Sequence, residues 1–352
     1  MSKKTPVNVA VIGAGAIGLH HIEGYRAHPD ARVIAIAETG IERGREAADR
    51  YAIPTCVVDY RELLKRPDID IVSIALPTWL HADVSIEALR AGKHVMLDKP
   101  MATNAADAAR IIAAAKKARR QFMVGQNQRF SGSAQAVKRV VRSGKLGDIY
   151  HARAVWQRRA GIPRIGSWFT QKEFAGGGCT YDIGVHVLDL ALHLMDDFEP
   201  AAVSGRTAAA FGPRGRGDGS WGKSEIDPKR PFDVEDFCTA LVRMRSGRTV
   251  QLDVSWAAAM DQHDINGVQL YGTEGGATTN PTRYYRPGPD GYESTELKPT
   301  TAFASDNRMV HFVDVVLGRA KPFVPPEQSL VVQRILDAIY TSAATGREVR
   351  LR

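Results

Sequence analysis

Residues Gly13-Ala14-Gly15-Ala16-Ile17-Gly18 space three glycines as GxGxxG, and an acidic residue, Glu38, stands about 20 positions beyond the last of them. Each part suits a dinucleotide. Gly13 permits a tight turn, Gly15 lets backbone approach a pyrophosphate, and Gly18 allows a helix to pack closely on a strand. The free N–H groups at the helix N-terminus then favour the negative charge. A carboxylate at Glu38 accepts hydrogen bonds from the adenosine ribose. It also repels the 2′-phosphate of NADP, which Arg43 and Arg45 just downstream offset in part. NAD is therefore the expected cofactor, with NADP less favoured.

A second set of residues can move protons. Lys99 lies between Asp98 and Pro100, and the proline pushes it toward extended geometry, which aims its side chain into a cleft. Asp182 and His186 are four residues apart and share one face of a helix. A histidine suits acid–base work because its unperturbed pKa, about 6.5, lies near working pH. Gly176-Gly177-Gly178 before them reads as a loop with close backbone approach to nicotinamide or substrate. Thr180 reads as the cap of a helix running to Met195. His186, Asp189 and His193 also repeat at helical spacing, but no HExxH and no second ligand cluster accompanies them. No metal site is expected, and structural hydrogen bonds are the expected role of Asp189 and His193.

These residues need a scaffold. Residues 7–12 and 32–37 read as buried strands flanking the glycine loop, followed by strands at 56–58, 69–76, 94–97 and 122–124. Helical stretches lie between them, including 60–65, 78–91 and 102–119, the last with Thr103 or Asn104 near its start. Strands alternating with helices imply a doubly wound parallel sheet covered on both faces. Pro77 and Thr78 then fall at a strand's carboxyl end, where such sheets place ligands. At roughly 100–200 residues per domain, 352 residues imply two domains. The first is expected over 1–126 and the second over 127–352. The second shows strand patterns at 148–157, 201–209, 236–245, 249–257 and 266–272, with a hairpin turn at Ser246-Gly247-Arg248. Residues 212–233, rich in Gly, Pro and charge, read as a long excursion reaching a neighbouring subunit or the site. A closing helix is expected at about 327–344, packing back near the first domain.

Several segments carry a family resemblance. They are Pro77-Thr78-Trp79-Leu80-His81, Ala91-Gly92-Lys93-His94-Val95-Met96-Leu97-Asp98-Lys99-Pro100, Gly125-Gln126-Asn127-Gln128-Arg129-Phe130, and 176–186. In this order they resemble the glucose–fructose oxidoreductase / inositol dehydrogenase / rhizopine-catabolism (GFO/IDH/MocA) family of NAD(P)-dependent oxidoreductases. Asp98 departs from the family pattern, which has Glu there. The resemblance implies a Rossmann domain followed by an α/β domain built on a large, open, mostly antiparallel sheet, with nicotinamide between them. It implies dehydrogenation of a CH–OH group, with His186 as acid/base, Asp182 beside it contacting substrate or tuning the histidine, and Lys99 bonding the reacting oxygen or itself carrying the proton. Cofactor contacts are then expected from Gly13, Gly15, Ala16, Ile17, Gly18, Glu38, Pro77, Thr78, His81, Asp98, Lys99 and Asn127. Arg158 and Trp168, in a loop region before the glycine triplet, are weaker substrate candidates, able to bind hydroxyls and stack on a sugar ring. Arg129 suits a structural role as well as a functional one.

Bulk properties narrow the class. The net charge is +8, yet the basic residues are scattered, and no zinc finger, RNA-recognition signature or helix-turn-helix is evident. Nucleic acid is not an expected partner. The longest apolar runs are too short to span a membrane. Cys56, Cys179 and Cys238 are far apart and lack CxxC spacing, which fits a reducing compartment and a cytoplasmic protein. The short polar segment before residue 7 does not read as a secretory signal. The open sheet face calls for a cover, so a homodimer or homotetramer is expected. The expected activity is NAD-dependent oxidation of a secondary hydroxyl of a sugar, glycoside or cyclitol. Two alternatives are tightly bound NAD used transiently in glycoside cleavage or epimerisation, and a nicotinamide-sensing regulatory protein without catalysis.

Overall fold

The computed structural model describes residues 6–220 and 224–351. The polar start of the chain and the centre of the 212–233 excursion fall partly outside the described residues. Among the described residues no helix is long and apolar enough to cross a membrane.

The chain forms two compact units. The first comprises residues up to Gly125 together with Asn307–Glu327, and the second Gln126–Asp306 with the residues from Gln328 onward. A single cut at 126 is therefore too simple. Helix α9 (Arg308–Val316) belongs with the first unit because its apolar face seals that unit's core. Met309 lies against Gly24, where a Cβ would sit 3.0 Å from the methionine side chain.

The first unit contains six parallel strands ordered β3-β2-β1-β4-β5-β6. They are β1 (Val7–Ile12), β2 (Ala31–Ala37), β3 (Thr55–Val57), β4 (Ile71–Ile74), β5 (His94–Leu97) and β6 (Phe122–Val124). The order steps outward from β1 in both directions, so β1 and β4 flank the switch point where doubly wound sheets bind ligands. Helices α1 (Ala16–Arg26), α2 (Ile41–Tyr51), α3 (Tyr60–Leu64), α4 (His81–Arg90) and α5 (Ala105–Ala118) make the crossovers. Burial along β4 and at Val9–Val11 is complete, as expected for strands covered on both faces. Asn104 caps α5, its side chain accepting from the Asp107 N–H at 2.8 Å. The helix expected over 78–91 is instead a short 3-10 turn, Thr78–Leu80, leading into α4.

The second unit is built on a nine-stranded mixed sheet ordered β14-β13-β12-β11-β7-β10-β9-β8-β15. Its strands are β7 (Ile149–Arg158), β8 (Pro200–Ala208), β9 (Phe237–Met244), β10 (Thr249–Ser255), β11 (Asp264–Gly272), β12 (Gly276–Thr279), β13 (Thr282–Gly288), β14 (Gly291–Glu296) and β15 (Val349–Arg350). Only the β7–β10 pair is parallel. Val250, Leu252 and Val254 alternate with Thr249, Gln251 and Asp253, so one face enters the core and the other is polar and half-buried. Helices α6 (Gly132–Arg142), α7 (Lys172–Ala175), α8 (Val185–Met195) and α10 (Pro326–Thr345) complete the chain, α10 lying in this unit from Gln328 onward. The buried helix α8 is the centre of this core, apolar almost all round.

The excursion after β8 folds back on its own chain. Gly217 O accepts from Gly161 N and Ile162 N at 3.0 and 2.9 Å, and Asp227 N and Asp233 N donate to Gly166 and Thr170 carbonyls. Its described part thus covers the loop over 161–171.

Candidate active site

In the first unit, β1 ends where Gly13 turns with φ +96°. A Cβ on Gly18 would come within 1.9 Å of the Gly13 carbonyl, so α1 can approach β1 only with glycine there. A Cβ on Gly15 would meet nothing within 4 Å. That open side lies at the head of α1, where Gly15 is the N-cap and supplies no side-chain cap to the first N–H groups. Ala16 and Ile17 open the helix, and Ile17 is an exposed apolar side chain, 44% accessible. An uncapped helix start beside open space and an uncovered isoleucine fits a pyrophosphate and its flanking groups.

Glu38 follows β2 and is buried. Its Oε2 accepts from Ala14 N at 2.7 Å, while Oε1 accepts from Gly40 N at 3.0 Å and from Arg43 Nη2 at 2.5 Å. Burial alone would raise its pKa, but the bonds from Arg43, Gly40 and Ala14 outweigh it and hold the carboxyl below its ordinary value. An ionised carboxylate therefore stands 24 residues from the glycine loop in sequence and in direct contact with it. This set of residues fits a dinucleotide.

The two loops after β4 and β5 are held by His81. Its Nδ1 lies 2.7 Å from Pro100 O and its Nε2 2.8 Å from Leu76 O. The ring is almost fully buried, and burial lowers its pKa. His81 thus fixes the loop carrying Pro77 and the loop carrying Lys99, where the sequence placed it as a ligand contact. Thr78 is buried and Pro77 half-buried. Asp98 is likewise internal. Arg308 Nη2 contacts its Oδ1 at 3.1 Å and His21 Nε2 lies 3.6 Å from the same oxygen. Asp98 therefore anchors the residue before Lys99 to α9. Lys99 itself is half-buried.

In the second unit, the chain enters α8 through a π turn, Thr180–Gly184, a rare form that often marks functional segments. Thr180 supplies no cap. Glu235 does so, its Oε2 accepting from Gly178 N at 3.0 Å and its Oε1 from Thr180 N at 2.8 Å. Tyr340 on α10 donates to the same carboxylate at 2.6 Å. The close approach predicted for the glycine triplet is real but its object is protein. A Cβ on Gly178 would lie 1.9 Å from Glu235 O, and one on Gly177 1.9 Å from the Tyr340 hydroxyl.

Asp182 sits on the π turn and His186 in the first turn of α8, both buried. Trp256, fully buried just past β10, donates its indole N–H to Asp182 Oδ2 at 2.9 Å. The Trp156 ring on β7 lies 5.5 Å from the His186 ring, tilted by 47°. Arg158 stacks over the other tryptophan neighbour, its guanidinium 4.9 Å from the Trp156 ring centre, and pairs with Asp264 at 3.2 Å. Arg158 is thus brought beside the histidine's aromatic wall, whereas Trp168 stacks on Phe169 at 3.8 Å. Asn127 is exposed at the start of a short 3-10 turn.

The remaining members of the α8 series are structural. Asp189 accepts two bonds from one edge of the buried Arg129 guanidinium, Nε and Nη2, at 2.7 and 2.6 Å, and Arg129 Nη1 donates to Gln328 at 2.5 Å. Burial first, then the charges of Arg129, Lys138 and Arg142, press the His193 pKa well below its ordinary value. Among the described residues no group of three His, Cys, Asp or Glu side chains is placed to hold a metal ion. Trp156 and Trp256 escaped the sequence argument although period-two alternation along their strands was available to place Trp256 with Val254 and Leu252. Glu235 and Arg308 act across the fold and had no local signal.

Comparison with known proteins decides the family. Residues 7–126 match the model of an oxidoreductase family with an NAD-binding Rossmann fold, and residues 134–278 match the GFO/IDH/MocA C-terminal domain. The chain belongs to the GFO/IDH/MocA family. As a GFO/IDH/MocA protein it is an oxidoreductase with a dinucleotide-binding Rossmann domain. It is 30% identical over 352 residues to the D-glucoside 3-dehydrogenase of Escherichia coli (strain K12), covering 99% of this chain and 98% of that one. It is 30% identical over 340 residues to the levoglucosan dehydrogenase of Pseudarthrobacter phenanthrenivorans, covering 90% and 82%. Among solved structures, a levoglucosan dehydrogenase in complex with NADH and levoglucosan superposes with a TM-score of 0.83 at 26% identity, covering 98% of this chain and 99% of the other.

Proposed function

We propose that this GFO/IDH/MocA protein oxidises a secondary hydroxyl of a sugar, glycoside or cyclitol to a ketone, using NAD. The observation that carries the reading is the buried Asp182–Trp256 hydrogen bond one turn before His186, a polar pair fixed inside an apolar core. Its similarity to D-glucoside 3-dehydrogenase and levoglucosan dehydrogenase supports a sugar-like substrate.

In this reading His186 accepts the hydroxyl proton. Lys99 hydrogen-bonds the reacting oxygen and stabilises the negative charge that develops there. Asp182, oriented by Trp256, accepts from a neighbouring substrate hydroxyl. His81 and Asp98 hold the Lys99 loop in place through Pro100 O and the Arg308 pair. Gly13, Gly15, Gly18 and Glu38, with Pro77, Thr78 and Asn127, hold the cofactor, which when bound supplies the hydride acceptor. Arg43 favours NAD because its guanidinium is already paired with Glu38. The free thiols of Cys56, Cys179 and Cys238 support a cytoplasmic location, where reducing conditions preserve them. A homodimer or homotetramer covers the polar sheet face.

The test is reduced-nicotinamide absorbance with NAD or NADP against sugars, glycosides and inositols. Reduction with NAD and one of these classes is the expected result. Silence across the panel, with cofactor binding measured separately, contradicts net dehydrogenation and favours internal redox cycling or a sensor.

A further inference from the structure

Within the second unit a cleft of about 260 Å³ opens along α8. Val187 and Leu190 form its helical wall, and Trp156 stands at the end that borders His186. Gln128, Asn266 and Thr282 also line the cleft. Resting on the reading of His186 as the acid/base, we propose that this cleft is a subsite for a second, uncharged ring, so that the substrate is a glycoside larger than one sugar unit.

Three features carry this. The first is position: Val187 directly follows His186, and the Trp156 ring lies 5.5 Å from the histidine ring, so a ligand in the cleft reaches the site of proton transfer. The second is charge. Every side chain lining the cleft is neutral. Arg158 and Asp264, beside Trp156, are paired with each other at 3.2 Å. A charged ligand would lose hydration there and gain no counter-ion. The third is the pattern of polar groups. Amides and hydroxyls both donate and accept, as the hydroxyls of a polyol require. The Gln128 carboxamide has no hydrogen-bond partner among the described residues, although it lines the cleft. The Asn280 amide donates to Asn266 Oδ1 at 3.2 Å and Asn266 donates to Asp264 at 2.9 Å, which orients the pair. The Thr282 hydroxyl donates to the Thr279 carbonyl at 2.9 Å and lies 2.9 Å from Ser133 Oγ, so the serine donates to Thr282 and keeps its lone pairs to accept from a ligand. A lining that joins apolar side chains with amides and hydroxyls matches the two aspects of a pyranose, its C–H face and its hydroxyl edge.

The experiment compares cellobiose with methyl β-D-glucoside on the wild type and on the double variant Gln128→Leu/Asn266→Leu, which keeps side-chain bulk and removes both amides. Ser133→Ala is a milder second variant that alters one half-buried hydroxyl. Two readouts are taken: kcat and KM with NAD, and calorimetric affinity, which needs no turnover. The wild type is expected to bind cellobiose about tenfold more tightly than the methyl glucoside, the effect of one or two added hydrogen bonds. The double variant is expected to lose that advantage through KM, and Ser133→Ala part of it. Equal affinity for the two glucosides, or equal losses on both in the variants, overturns the subsite. An affinity difference that follows the variants while neither sugar reduces NAD overturns the redox reading and leaves the subsite standing.

Discussion

Trp256, fully buried, donates its indole N–H at 2.9 Å to Asp182, which keeps a small exposed edge. Removing one partner of a buried hydrogen bond costs about 1–3 kcal/mol. Trp256→Phe keeps an aromatic ring and removes the donor. The expected outcome is a loss of about 1–3 kcal/mol in urea-unfolding free energy and a fall in kcat/KM of at least about tenfold. Unchanged kcat/KM in a folded variant would show that the orientation of Asp182 is not used in turnover.

Lys99→Ala should abolish most turnover and leave NAD affinity close to wild type, because the pyrophosphate and ribose contacts lie elsewhere, at Gly13–Gly18 and Glu38. Removing one preorganised donor to a developing oxyanion costs about 100- to 1,000-fold in kcat. Steady-state kinetics paired with a fluorescence titration of NADH separates the two effects. Near-normal kcat would remove Lys99 from the chemistry.

Glu38→Gln keeps the side-chain shape and removes the charge that repels a 2′-phosphate. It also releases Arg43, now paired with Glu38 at 2.5 Å, to meet that phosphate. The ratio of kcat/KM for NAD over NADP should fall by about tenfold or more, a change equivalent to about 1.4 kcal/mol. An unchanged ratio would mean that Glu38 does not read the ribose.

Arg308→Leu should leave Asp98 buried without its cation. Burial alone would raise the Asp98 pKa, but the adjacent His21 imidazole and the Arg308 charge outweigh it and hold the carboxyl far below the usual carboxylate range. A depressed carboxyl stabilises the fold above its unfolded pKa, about 3.9, and that contribution is lost as pH falls below this value. Urea unfolding at pH 7 should therefore show a loss of about 3–5 kcal/mol in the variant. The gap to wild type should narrow as pH drops through the carboxylate range. Equal stability at pH 7 would contradict the assignment of Arg308 as the anchor of the Lys99 loop.

Much of the first unit was legible because its signals are local. The glycine loop, the apolar strands and Glu38 follow one another in about 30 residues, and the structure brings Glu38 Oε2 to Ala14 N at 2.7 Å. The central strands of the second unit were legible for the same reason, through their period-two burial. The edge strands were not. Every residue of β14 is exposed, and β13 is half-exposed and ends in Pro-Gly, so neither shows an apolar alternation. Helix α6 went unread although Ser131 caps it. The glycine triplet was misjudged because Glu235 and Tyr340, which crowd it, lie 57 and more than 100 residues away. His81 and Asp98 share that history: their partners, Pro100 O and Arg308, become visible only when the loops and α9 are folded.

The central claim is that a substrate carbon gives its hydride to NAD, and isotope transfer tests it most directly. The enzyme would be incubated with NAD and a ring-deuterated methyl glucoside or cellobiose, and both products analysed by mass spectrometry. The account predicts reduced nicotinamide carrying one deuterium and an equal amount of a keto-sugar lacking it, with both lost in His186→Asn. Unlabelled nicotinamide, or a sugar returned with its deuterium intact, would contradict it.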